Sequence, residues 1–109
     1  MEKVFYINIA DNWIKKLVGL LGTKVFPDFE GLFLPYVTSI HTFFMKYSID
    51  IIFLDENNNV KKIVENVKPF RVVFGNKESV SVLEMPAGAA RKCNINIGDK
   101  IVFEGRGYG

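Results

Sequence analysis

A single cysteine, Cys93, leaves this chain unable to close an internal disulfide and fits a reducing compartment. One histidine, His41, and that one cysteine cannot furnish a closed zinc site. The only local carboxylate cluster, DENNN at 55–59, lacks the ligand spacing of an EF-hand, so no metal or cofactor is expected. No G-x-x-x-x-G-K-[ST], G-x-G-x-x-G or G-x-S-x-G motif occurs, which removes the common phosphate cradles and the nucleophile elbow. No apolar run approaches the roughly 20 residues of a membrane span. The opening stretch, MEKVFYINIADNWIKK, has no uninterrupted apolar region followed by a cleavage site, and reads as the start of a cytoplasmic chain. An excess of one charge is missing too. Fourteen Lys and Arg face twelve Asp and Glu, and no basic run exceeds the pairs at Lys15-Lys16, Lys61-Lys62 and Arg91-Lys92. This balance argues against a nucleic-acid surface unless folding gathers Lys61, Lys62, Arg71, Arg91 and Lys92 into one patch.

What is present is apolar payload. Hydrophobic residues make up 49% of the chain and include ten Phe, enough for one core without staples, so residues 1–109 read as one domain. Residues 4–10 (VFYINIA) are β-branched and aromatic and predict a strand. The next stretch, DNWIKKLVGLLG, predicts a helix over 11–22, with Asp11 as N-cap, Trp13, Leu17, Leu20 and Leu21 at helical spacing, and Gly22 as terminator. Gly19 inside it marks a close approach to a neighbour. A loop containing Pro27 follows, then a short strand at 31–34 ended by Pro35.

From His41 a period-two pattern takes over. Strands at 49–55 and 60–67 flank an Asn-rich turn at 55–59. Further strands are expected at 70–74, 79–85 and 100–104, with a short helix at 87–93 and a turn at Gly98-Asp99. The tail, residues 105–109, is Gly-rich and expected to fray. Many short strands without regular crossover helices imply a mainly-β barrel or sandwich carrying one or two short helices.

Chemistry concentrates where titratable groups share faces with apolar rows. Asp50 shares parity with Ile52 and Leu54, Glu84 with Val80 and Val82, and His41 with Phe43 and Met45. Row ends of a barrel or sandwich lie at its rim, where a cleft can open. Partial burial there would raise the acids' pKa values and depress that of the histidine. The competing reading makes Asp50 and Glu84 structural acceptors of turn amides, or partners of a lysine such as Lys46, and makes His41 a packed ring. Cys93 and His41 form a nucleophile–base pair only if they meet, yet Cys93 falls where a buried apolar residue ends the short helix. Asp99 reads as a turn residue accepting backbone hydrogen bonds.

Four stretches carry a resemblance: GLLG at 19–22, EGLFL at 30–34, HTFFMKYSIDIIFLD at 41–55 and VLEMPAGAARKCNINIGDKI at 82–101. Together, over residues 17–103, the chain resembles the domain of unknown function 192 family, also called uncharacterised protein family 0127. Met45, Lys46, Ile49 and Asp50 match its first element, with Ser48 where a proline is usual. Glu84, Pro86, Ala87 and Gly88 match the second, and Gly98-Asp99 the closing pair. The resemblance implies a compact mainly-β fold and supplies no established activity. Many relatives carry a signal peptide or lipoprotein anchor. The start His-Thr-Phe is similar to relatives found near pilus-assembly genes, which implies an accessory partner at the envelope.

The residues therefore predict a non-enzymatic binding domain for a small polar ligand or a peptide segment, with His41, Lys46, Asp50, Glu84 and Gly88 at the site. The alternative is a hydrolase or isomerase using Asp50 or Glu84 as general base with His41 assisting, which requires those side chains to converge. A nucleic-acid-binding small β-barrel is the third reading.

Overall fold

The computed structural model describes residues 2–9, 32–43 and 45–105, with burial described for 32–43 and 45–102. The elements are β1 (Glu2–Ile9), β2 (Leu32–Pro35), β3 (Ser39–His41), β4 (Ile49–Leu54), β5 (Val60–Val67), β6 (Val72–Phe74), β7 (Ser81–Pro86), α1 (Ala89–Lys92) and β8 (Lys100–Gly105). A six-stranded sheet has the order β5-β4-β7-β2-β1-β8, and β3 pairs with β6 in a separate two-stranded ribbon. β1 runs parallel to both β2 and β8, whereas the other pairs are antiparallel. A parallel pair needs a crossover. The helix expected at 11–22, with Gly19, belongs to the segment between β1 and β2 and lies outside the described residues, as do Pro27 and residues 106–109 of the tail.

Burial explains the sequence pattern. β4 is buried along its whole length and β7 along all but its last residue, as central strands covered on both faces must be. One face carries Ile52, Leu54, Leu83 and Met85 against Ala89 and Ala90 of α1 and Ile95. The other carries Leu32, Leu34, Ile49, Ile51, Phe53 and Val82 beneath Ile40 and Val73 of the ribbon. Ribbon, sheet and α1 are thus stacked in layers around two apolar clusters. Among the described residues the edges β5 and β8 meet at an isolated bridge, Asn59–Lys100, where Asn59 immediately precedes β5, supported by Val60 N–H donating to the Asp99 carbonyl at 2.8 Å and Ile101 N–H to the Asn58 carbonyl at 2.9 Å. The barrel is therefore not closed, and the fold is sandwich-like.

The period-two pattern read from His41 is interrupted. β3 ends at His41, and the described residues between it and β4, 42–43 and 45–48, belong to no strand. The cause is Thr42, which is fully buried. Its hydroxyl donates to the Lys68 carbonyl at 2.7 Å and accepts from Arg71 N–H at 3.0 Å, fastening this chain to the segment ahead of β6. β7 begins at Ser81 rather than 79, because Ser79 closes a turn with Asn76. Val80 therefore lies outside the strand and is exposed.

Gly75, just past β6, has no room for a side chain. A Cβ there would stand 2.7 Å from Phe53 Cδ1 and 2.7 Å from Ser79 Cβ. Gly75→Ala is expected to destabilise the fold by about 1–3 kcal/mol through overpacking. Urea unfolding measures this; an unchanged midpoint would mean that the turn at 76–79 yields freely.

Candidate functional site

Asp50 is completely buried on β4, not at a rim. β5 has an extra residue opposite it, since Ile49 pairs with Val67 but Ile51 with Val64. A bulge of this kind leaves an N–H without its ladder partner. Asp50 Oδ1 accepts the Asn66 N–H at 2.8 Å, and Asn66 takes the left-handed conformation that asparagine tolerates. Oδ2 accepts the N–H groups of Gly88 and Ala90, each at 3.0 Å. Gly88 is the N-cap of α1, has φ 92 and offers no side chain to cap with, so the carboxylate from β4 does so instead. A Cβ at Gly88 would meet nothing within 4 Å; the positive φ is what calls for glycine there.

Glu84 lies on the other face of the sheet. It is opposite Ile51 and Leu32 in the ladders, whereas Asp50 is opposite Met85. Directly paired residues share a face, so the two carboxylates point away from one another. Glu84 is 3% exposed, and its Oε2 has no hydrogen-bond partner among the described residues. Burial pushes its pKa up to about 7. Burial, and then the charge of Glu84, also raises the Tyr47 phenol above its ordinary value, which places Tyr47 within electrostatic reach of the carboxyl. Tyr47 packs against the same apolar cluster.

His41 is exposed on the ribbon, contrary to the partial burial expected of it, because its face of β3 is turned away from the core that Ile40 enters. Its ring lies 5.2 Å from that of Phe43. Lys46 is exposed between β3 and β4, and no ion pair among the described residues joins it to Asp50 or Glu84. Cys93 packs against the α1-side cluster while the ribbon covers the opposite one, so the His41–Cys93 pair is not formed. Asp99 accepts the Asn96 N–H at 2.9 Å, as a turn residue should. Two cations of the third reading are held in ion pairs: Lys61 with Asp55 and Glu78, and Arg91 with Glu65. No described group of three His, Cys, Asp or Glu could hold a metal, and no described helix is long and apolar enough to cross a membrane.

Sequence reasoning missed the ribbon's outer face. Ser39 pairs with Phe74 and His41 with Val72, on the side opposite buried Ile40. Phe74 is 65% exposed, Val72 49%, and the neighbouring Phe70 and Phe43 are 69% and 40% exposed. Tyr36 and Phe70 have φ values of 58 and 64. A bulky residue there costs about 1–2 kcal/mol. Each follows a proline, Pro35 or Pro69, and a residue after proline takes positive φ in a type II turn, which is the signal that was available.

The DUF192 family model, described as Uncharacterized ACR, COG1430, matches residues 1–103. The chain belongs to the DUF192 family. A UPF0127 protein of Pyrococcus horikoshii is 38% identical over 100 residues, covering 87% of this chain and 84% of that one. One from Pyrococcus abyssi is 35% identical over 100 residues, covering 87% and 83%. A crystal structure of a protein of unknown function from Novosphingobium aromaticivorans aligns with a TM-score of 0.75 at 25% identity, over 88% of this chain and 73% of that chain. The two DUF192 elements recognised in the sequence meet in space: Asp50 of the first accepts the N–H of Gly88 in the second. Their contact fastens α1 to the sheet.

Proposed function

We propose that this DUF192 chain is a non-enzymatic binding domain that docks a partner on the outer face of the β3–β6 ribbon. One observation carries the reading: Val72 and Phe74 pair with His41 and Ser39 on the ribbon's outer face, the Phe43 ring lies beside His41, and these residues, with Phe70 just ahead of β6, leave apolar surface in solvent. Scattered exposed apolar residues are ordinary, but a contiguous group on one element marks an interaction surface. Tyr36 and Phe70, held at positive φ on either approach to the ribbon, add to it. Of the five candidate residues, His41 belongs to this surface, and Lys46 is exposed between β3 and β4. Asp50 and Gly88 hold the scaffold, and Glu84 sits on the sheet face that the ribbon covers. The hydrolase or isomerase reading finds no support in this arrangement, since both carboxylates are buried, on opposite faces, and His41 is outside.

Replacing Phe74 and Val72 together by serine is expected to change stability by only about 0.5 kcal/mol per site, as at other exposed positions, while removing docking. An amide NMR titration of both proteins against a peptide library measures this. Shifts confined to His41, Phe43 and residues 70–74, absent in the variant, are expected. Shifts unaffected by the double substitution would sink the reading.

A further inference from the structure

We infer that the occupant of the ribbon is an extended acidic peptide segment that adds as a strand to the outer edge of β3. This rests on the ribbon being the docking surface. The first support is charge. The described residues of 36–47 and 68–75 hold β3, β6 and the chain beside them; they include Lys46, Lys68 and Arg71 and no Asp or Glu, in a chain whose charges otherwise nearly balance. All three cations are exposed. An anionic partner would be drawn to this side, and a cationic one repelled.

The second support is the backbone. Thr42 N–H donates to Arg71, and Gly75 N–H to Thr38. The alternation of an antiparallel ladder then makes Ser39–Phe74 and His41–Val72 the non-hydrogen-bonded pairs. The peptide groups of Ser39 and His41 consequently point away from β6. The same alternation turns the Phe74 carbonyl outward on the opposite edge, where Lys62 Nζ donates to it at 2.7 Å. The β6 edge is thus blunted by a lysine, whereas the described residues leave the β3 edge uncovered.

An edge of this kind bonds another polypeptide backbone and offers nothing specific to a nucleotide. Side chains of an added strand alternate, so every second one would lie beside His41 and the exposed Val72 and Phe74, with acidic residues reaching Lys46, Lys68 or Arg71. The ribbon cations would draw a phosphate chain too, but such a chain would leave the outward peptide groups of Ser39 and His41 unused, whereas a polypeptide strand bonds them.

The test titrates the labelled protein with four kinds of probe: a capped peptide alternating aspartate and valine, the same peptide with lysine for aspartate, the aspartate peptide N-methylated at alternate residues in each of the two registers, and an oligothymidylate. The aspartate peptide is expected to shift Ser39 and His41 most, followed by residues 72–74. Arg71→Glu is expected to weaken it about three- to tenfold, the scale of an exposed charge pair reversed. Equal or larger ribbon shifts from the lysine peptide or the oligothymidylate would overturn the acidic-segment inference and leave the docking surface standing. Equal binding by both N-methylated registers would overturn edge addition. Silence of the ribbon towards all four would overturn the inference together with the reading beneath it.

Discussion

Asp50→Ala is expected to leave little folded protein at neutral pH. The substitution removes the acceptor of three backbone N–H groups at once: Asn66 at the β5 bulge, and Gly88 and Ala90 at the start of α1. Hydrogen bonds to a charged group contribute about 1.5–3 kcal/mol each, and donors left buried without a partner carry their full desolvation penalty. The combined loss, roughly 4–6 kcal/mol or more, is comparable to the whole stability of a small domain, about 5–15 kcal/mol. Asp50→Asn separates acceptor loss from volume loss. The amide keeps one oxygen, which can still face Gly88 and Ala90, but its NH₂ then confronts the Asn66 N–H. An intermediate destabilisation is expected, with faster amide exchange at Asn66 than at Gly88. Thermal and urea unfolding read the first effect, and hydrogen exchange the second. If Asp50→Ala unfolds at the native midpoint, the carboxylate fastens nothing, and its conspicuous place among isoleucines would need a functional explanation.

Asp50 and Glu84 also show how far the sequence was legible. Parity within β4 and β7 was read correctly, Asp50 sharing a face with Ile52 and Leu54 and Glu84 with Val82, whereas Val80 lies outside β7 and the row of His41, Phe43 and Met45 breaks, His41 being exposed and Met45 buried. Which face each row takes in the sheet depends on the β4–β7 register, where Ile51 meets Glu84, and a one-residue offset reverses the answer. No pattern inside a single strand contains that information. Depth was equally nonlocal. Asp50 sits near a strand end, but α1 covers that end, so the expected rim is interior. The hairpin at 55–59, the turn at Asp99 and the short helix were legible because their signals are local: Asp55 accepts the N–H groups of Asn57 and Asn59, both within the turn. The β3–β6 ribbon was not. It joins three-residue strands far apart in the chain, and Thr42 ties them through bonds across 26 and 29 positions. The exposed aromatic face escaped notice for the same reason, since Phe43 and Phe74 look like core residues until their partners are known.

Glu84 predicts an unusual dependence of stability on pH. Its carboxyl is held at about 7 rather than 4.5 because ionisation would place a charge in the apolar layer of Leu32, Ile51 and Val82. The folded-state pKa lies above the unfolded one, so between these values the native chain binds the extra proton. Stability from this group is fully present below about pH 4.5 and is lost as pH rises through about 7. The displacement corresponds to roughly 3 kcal/mol in all. Glu84→Gln keeps the shape and cannot ionise. Relative to the native chain, the variant is therefore expected to gain up to about 3 kcal/mol near pH 8 and almost nothing near pH 4.5. Urea unfolding of both proteins across that range isolates the effect, because every other carboxyl titrates alike in the two. Parallel curves would show that Glu84 is solvated in solution. The consequence reaches the ribbon, since Ile40, Met45 and Tyr47 pack on the same cluster. Charging Glu84 beneath them is expected to speed amide exchange in residues 42–48 before the rest of the sheet, and Glu84→Gln to abolish that pH dependence. Early opening of the α1 side instead would mean that the strain of ionisation leaves through the opposite layer, and that the ribbon's docking face is insulated from the buried acid.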